Sequence, residues 1–313
     1  MKAQEASGPV DTIVSLLRGE PASPGSAIER HARTSADFDA KLQGTLQRLR
    51  DAAAAHAGRI VQATSLGAED MVITDLIARH RLPIVLATLD TRELHAQTLA
   101  LIGRIEERYG LAVEIHAPDT EAVLQFVERH GPRAMRRSME LRKACCAVRK
   151  LEPLRRLLAG RDAWITGLRR EQSGQRAEVA YAERDADGRS KLSPLADWSW
   201  GDVWHYIGEH RVPYNRLHDA FFPSIGCAPC TRAIALGEDF RAGRWWWESD
   251  DARECGLHGK PHPAPSAAAS RSEATGVVVS AEADFGAAEV KRAPARGRSQ
   301  NDRADLNPEE IPS

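Results

Sequence analysis

Arg59–Ser65 reads RIVQATS and Pro83–Leu89 reads PIVLATL. Both are short runs of aliphatic and β-branched residues, and they frame a helical stretch at about 69–80. Outward from this pair, Ala112–Ala117 (AVEIHA) and Ala163–Gly167 (AWITG) repeat the strand pattern. Helical spacing recurs at about 36–57, 92–109, 120–130 and 145–159, with Leu42, Leu46 and Leu49 marking the first of these and Gly58 closing it. Strands that alternate with helices predict an α/β fold, a parallel sheet flanked by helices. Ligands of such sheets sit beyond the carboxyl ends of the strands, so the loops after Ser65, Leu89 and Gly167 are the first to inspect.

The chain has 313 residues, and 43 Lys+Arg against 44 Asp+Glu leave a net charge of −1. A global basic field for nucleic acid or an anionic membrane is thereby excluded, although a local basic site is not. No apolar run approaches the ~18–20 residues that span a bilayer. The apolar patches Ile13-Val14 and Leu16-Leu17 are too short for a secretory segment, so a cytoplasmic, reducing location is expected. Residues 1–35 read as an arm broken by Pro9, Pro21, Pro24 and Gly25, with a short helix around Thr12–Leu17. Residues 36–260 form the main domain. Residues 261–313 read as a disordered tail, because the 51 residues from Pro263 onward hold only seven Leu, Ile, Val or Phe.

The first loop, Thr64-Ser65-Leu66-Gly67-Ala68-Glu69-Asp70, follows a strand and opens a helix. Ser65 and Gly67 would let backbone N–H groups approach an oxyanion at a helix N-terminus. A plain capped turn, with Ser65 or Glu69 serving the helix, is the alternative. The acidic pair after the turn suits a ligand with few phosphates. In the second loop Leu89 offers backbone groups to a base edge. Asp90 offers its carboxylate to a ribose hydroxyl or, equally, caps the following segment.

Five cysteines fall in three groups: Cys145-Cys146, Cys227-Ala228-Pro229-Cys230 and Cys255. A reducing compartment argues against structural disulfides. Four clustered thiols suit zinc or an iron–sulfur cluster. Adjacent cysteines splay apart and favour the larger cluster, whose negative charge Arg142, Lys143, Arg149 and Lys150 would offset. Cys255 is the leftover thiol. His258 follows it, and Arg241 and Arg244, three residues apart, offer an oxyanion clamp upstream.

Taken together, CCAVRKLEPLRRLL, WITGLRREQS, PYNRLHDAFFPSIGCAPCTRAI, GEDFRAGRWWWE and ECGLH resemble the assimilatory adenosine 5′-phosphosulfate reductases, the iron–sulfur branch of the phosphoadenylyl-sulfate reductase family. The resemblance spans about residues 36–258. It implies an adenine-nucleotide alpha-hydrolase-like fold, a homo-oligomer, and a 4Fe–4S cluster on Cys145, Cys146, Cys227 and Cys230. It also implies Cys255 as nucleophile, with Lys150, Arg241, Arg244 and His258 at the sulfate and phosphate end. Ser65, Gly67, Glu69, Leu89, Gly167 and Arg176 would hold the nucleotide. The implied reaction turns adenosine 5′-phosphosulfate into sulfite and AMP through an S-sulfocysteine, with thioredoxin (or glutaredoxin) as reductant. Two positions depart from the family pattern: Arg92 stands where a glycine is usual, and Gln175 where a threonine is usual.

Activity on the 3′-phosphorylated substrate is one alternative. An ATP-dependent tRNA thiolation enzyme of the same fold is another, and its SGGxDS-type loop and basic face are missing here, where the loop reads SLGAED. An iron–sulfur redox sensor would leave Cys255 and the nucleotide loops without a task.

Overall fold

The computed structural model describes residues 25–248. The chain divides into two units after His262, and the second, Pro263–Ser313, lies wholly outside the described residues. Cys255, His258, the helix expected around Thr12–Leu17 and the expected tail lie outside them too.

Four strands fall where the sequence places them: β1 (Ile60–Thr64), β2 (Val85–Leu89), β3 (Val113–His116) and β4 (Ala163–Ile165). Two more, β5 (Ala182–Arg184) and β6 (Ser190–Leu192), extend the sheet to the order β3-β2-β1-β4-β6-β5. Every neighbouring pair is parallel except β5 with β6. The sheet is covered on both faces, and the period of two along each strand sorts its residues. Ile60, Leu86 and Ile165 face one core with Met71, Leu76, Leu101 and Trp204, whereas Val61, Ala87 and Trp164 face another with Leu157 and Leu158.

Helices α1 (Ala27–His31), α2 (Phe38–Ala55), α3 (Ala68–Arg79), α4 (Ala96–Tyr109) and α5 (Thr120–His130) precede the cysteine region. Residues 25–35, expected to belong to the arm, are part of the packed body. Ala27 is fully buried, and Arg30 Nη2 donates to the carbonyls of His218 and Asp219, each at 3.0 Å. The helix expected at 145–159 begins earlier, as α6 (Met139–Cys146) with Ser138 as its N-cap. It passes through a π turn at Ala147–Leu151 and continues as α7 (Glu152–Leu157). Helix α8 (Trp200–His210) closes the body behind a capping box of Ser199 and Asp202.

The chain runs β1, β2, β3 to one side and then crosses to β4 on the other side of β1. This reversal opens a crevice beyond the carboxyl ends of β1 and β4, where open α/β sheets take their ligands.

Candidate functional site: a nucleotide pocket beside four thiols

That crevice holds a pocket. Its floor comes from the ends of β1, β2 and β4 and includes Ser65, Gly67, Glu69, Leu89 and Gly167. Arg176 lines it on one side, and Lys150, Arg241 and Arg244 line it as well. The structure thus brings together every expected substrate residue within the described range.

The loop after β1 is held by its own acid. Ser65 N–H and Ser65 Oγ–H both donate to Asp70 Oδ2 at 2.6 Å. Leu66 N–H donates to Thr64 Oγ1 at 3.0 Å, and Gly67 N–H to Ser65 Oγ at 3.4 Å. The N–H groups of Ser65, Leu66 and Gly67 are therefore committed within the loop. Neither Ser65 nor Glu69 caps α3, whose N-cap is Gly67 with no side-chain bond. Burial raises the Asp70 carboxyl to about 6, and the bonds from Ser65 oppose that rise. Gly167 must be glycine here. A Cβ would stand 2.7 Å from Asp70 Oδ1, 2.9 Å from Glu69 Cβ and 3.1 Å from Asp70 N.

Glu69 Oε1 instead accepts from Arg169 Nε at 3.0 Å and from Gln172 Nε2 at 2.9 Å. Arg176 Nη1 donates to Gln172 Oε1 at 2.6 Å. Arg169 and Gln172 lie within the WITGLRREQS motif, but the sequence assigns neither a role, because a buried ion pair leaves no spacing signal.

The second loop settles the choice at Asp90. Its Oδ1 accepts from Arg92 N–H at 2.9 Å and its Oδ2 pairs with Arg92 Nη1 at 3.1 Å, so it caps the turn. Arg92 has φ of 59°, left-handed backbone that favours glycine, and the bonds to Asp90 help hold it there.

Cys145, Cys146, Cys227 and Cys230 line an adjoining pocket, and Lys150 lines both. None of the four is joined in a disulfide among the described residues; Cys145, Cys227 and Cys230 are buried and pack with Met135 and Trp245. Thr91 Oγ1 lies 3.2 Å from Cys227 Sγ. Arg149 Nη1 donates to the Thr91 carbonyl at 2.9 Å, and Arg149 Nη2 pairs with Glu93 at 3.4 Å. Burial raises the Cys145 thiol, with Arg149 opposing and Cys227 and Glu93 adding. Cys230 is pushed up to about 12 by burial, with Cys227 adding and Lys150 and Arg244 opposing. A thiolate set in this pocket needs cationic compensation. Among the described residues no three His, Cys, Asp or Glu side chains are disposed around a single metal ion. Cys145 and Cys146 occupy consecutive helical positions, about 100° apart around the axis. That donor set, with its cationic wall, fits a thiolate-held group larger than one ion.

Arg244 is 8% exposed. Its Nη1 donates to Ser224 Oγ at 3.3 Å and to the Ile225 carbonyl at 3.2 Å, and its guanidinium lies 4.7 Å from the Trp245 ring. Arg241 is buried as well, and its N–H donates to Asp239 Oδ1 at 2.8 Å. Two buried arginines and a lysine thus line one pocket, and these are residue types that bind anions.

Fold and site define a nucleotide-type pocket at the switch point of a parallel sheet, joined to a thiol pocket through one lysine. The chain belongs to the phosphoadenosine phosphosulfate reductase family, whose domain model matches residues 59–233. It is an oxidoreductase of that family. It is 58% identical over 200 residues to the adenosine 5′-phosphosulfate reductase of Allochromatium vinosum, a match covering 64% of this chain and 78% of that protein. The adenosine 5′-phosphosulfate reductase of Burkholderia cepacia is 50% identical over 230 residues, covering 72% of this chain and 92% of that one. Among solved structures, the phosphoadenylyl-sulfate reductase of Candida auris in its phosphate complex superposes with a TM-score of 0.51 at 26% identity. That match covers 63% of this chain and 98% of the other. Among the described residues no helix is long and apolar enough to cross a membrane.

Proposed function

We propose that this chain reduces adenosine 5′-phosphosulfate to sulfite and AMP in sulfate assimilation. The observation that carries the reading is a nucleotide-type pocket lined by Lys150, Arg241 and Arg244 and joined through Lys150 to the thiol pocket, in a chain 50–58% identical to reductases of that compound.

The Cys255 thiolate attacks the substrate sulfur. An S–S bond forms, the S–O bond to the phosphate breaks, and AMP leaves with the electron pair. Lys150, Arg241, Arg244 and His258 stabilise the anion, and AMP needs little further help as a leaving group. A thioredoxin (or glutaredoxin) thiolate then attacks Cys255 Sγ of the S-sulfocysteine and expels sulfite. The second thiol of that dithiol closes its disulfide and returns Cys255 as a thiol. Two electrons pass from the dithiol to sulfur, so no other redox centre is required. Cys145, Cys146, Cys227 and Cys230 would hold a 4Fe–4S cluster, which would supply local structure and field beside Lys150. Activity in a cytoplasmic homo-oligomer is part of the same proposal.

Mass spectrometry tests it. Wild-type protein given substrate without reductant should gain one sulfonate on the peptide holding Cys255 and release one equivalent of AMP. Cys255→Ser should gain none yet bind AMP. An adduct on any other cysteine, or turnover by the variant, overturns the assignment.

A further inference from the structure

His218 is 4% exposed and lines the nucleotide pocket. It sits in the short turn Arg216–Ala220, which Asn215 pins: Asn215 Oδ1 accepts from Leu217 N–H at 3.1 Å and Asn215 Nδ2 donates to Thr98 Oγ1 at 2.8 Å. Trp204 and Trp200 meet the imidazole edge-on at 5.2 and 5.9 Å between ring centres. The ring is thus locked by packing. Yet neither Nδ1 nor Nε2 has a hydrogen-bond partner among the described residues; its approach to the Phe222 main chain lacks hydrogen-bond geometry. A buried polar group without a partner is destabilising and rare in native proteins, and a bound ligand is one remedy.

The chemistry of the missing partner can be narrowed. Burial holds the imidazole neutral, its pKa lowered to about 4 against smaller opposing effects of Glu69, the Phe222 main chain and Asp219. A neutral imidazole offers one donor and one acceptor, which matches a hydroxyl. Sulfate and phosphate oxygens call for the cations Lys150, Arg241 and Arg244 in the same pocket. Glu69, close enough to act on the His218 ring, also disfavours an anion there. The acid that the sequence offered to a ribose, Asp90, is consumed by Arg92 and does not line the pocket.

We infer that His218 contacts the substrate, exchanging a hydrogen bond between one ring nitrogen and a hydroxyl of the nucleotide's ribose. The inference rests on the nucleotide substrate proposed above.

The test compares AMP, 2′-deoxyAMP and 3′-deoxyAMP by calorimetry on wild type, His218→Leu and His218→Asn. One deoxy analogue should bind wild type about tenfold more weakly than AMP. His218→Leu should lose about tenfold on AMP and almost nothing further on that analogue. His218→Asn, which keeps a donor and an acceptor, should recover part of the loss. KM for adenosine 5′-phosphosulfate should rise while kcat stays within about threefold. The Leu variant should melt no lower than wild type, since it fills the same packed site with an apolar side chain and breaks no hydrogen bond among the described residues. Equal binding of all three nucleotides by wild type overturns the inference. So does an equal loss on all three in His218→Leu, or a fall in melting temperature without loss of affinity. If the Leu variant fails to fold, the Asn variant carries the same comparison. Wild type that binds no AMP overturns the nucleotide reading of the pocket itself, a separate failure.

Discussion

Gly226→Ala should cripple the enzyme while scarcely touching its stability. Gly226 immediately precedes Cys227, and its φ lies outside the left-handed region. Alanine therefore costs space, not backbone strain. A Cβ there would stand 2.5 Å from Arg244 Nη2, 2.6 Å from Cζ and 3.0 Å from Nε. Reaching an ordinary contact of about 3.4 Å requires the guanidinium to retreat by about 0.9 Å. Because it is the far end of a flexible side chain, the retreat costs about 1 kcal/mol of rotamer strain and weakened bonds to Ser224 and Ile225. In a body of this size that is a loss of about 2–4 °C in Tm. The same displacement moves a cation by about 1 Å at the expected sulfate site, and misplacement on that scale costs about 100-fold, or ~2.7 kcal/mol of barrier. The assay is kcat/KM for adenosine 5′-phosphosulfate with a dithiol reductant, paired with calorimetric Tm. A kcat/KM within about threefold of wild type refutes the placement of Arg244 at the reacting anion. A Tm loss beyond about 10 °C refutes the claim that Arg244 can move cheaply.

Gly201→Ala should show the opposite signature. Its Cβ would meet the Arg33 carbonyl at 2.3 Å, so backbone must shift; we expect a loss of about 1–3 kcal/mol in urea unfolding with kcat/KM unchanged well below Tm. Cys227→Ser should lose iron, sulfide and activity together in anaerobically purified protein; wild type that holds zinc and no iron would reject the cluster. Asp70→Asn should change the pH profile of stability. The Asp70 pKa stands at about 6 against an ordinary 3.8, so wild type enjoys this contribution below pH 3.8 and loses about 3 kcal/mol of it as pH rises through 6. The variant, which cannot titrate there, should gain on wild type across that window. Parallel urea stability curves from pH 4 to 8 would refute it.

What the sequence shows and what it hides follow from range and regularity. Strands β1 to β4 are legible because buried parallel strands are apolar runs, and α2 to α5 because their spacing is helical. The β5–β6 hairpin escapes because its strands are three residues each and read Ala-Glu-Arg and Ser-Lys-Leu. Asp187-Gly188 between them, with φ of 81° at the glycine, was the available turn signal. Helix α1 hides behind Pro21 and Pro24, and its burial depends on partners almost two hundred residues away. At the site, cysteines and arginines announce themselves by type and spacing. His218 does not, for a lone histidine in PYNRLHD carries no pattern, and its meaning lies in the bonds it fails to make. Nor does any spacing tell that Asp70 captures Ser65.

The junction of the two pockets depends on the π turn at Ala147–Leu151. One π turn inserts an extra residue into a helix and so re-aims the residues that follow it. Arg149 thereby reaches the Thr91 carbonyl and Glu93 on the β2 loop, while Lys150 lines both pockets. The same loop is gripped from the other side: Thr91 Oγ1 meets Cys227 Sγ, Ala228 N–H donates to the Glu93 carbonyl at 2.7 Å, and Leu94 bridges to Cys227. The segment after Leu89 is thus clamped between the two cysteine groups. The same segment lines the nucleotide pocket through Thr91 and Leu94. The two sites are therefore built on one shared backbone segment.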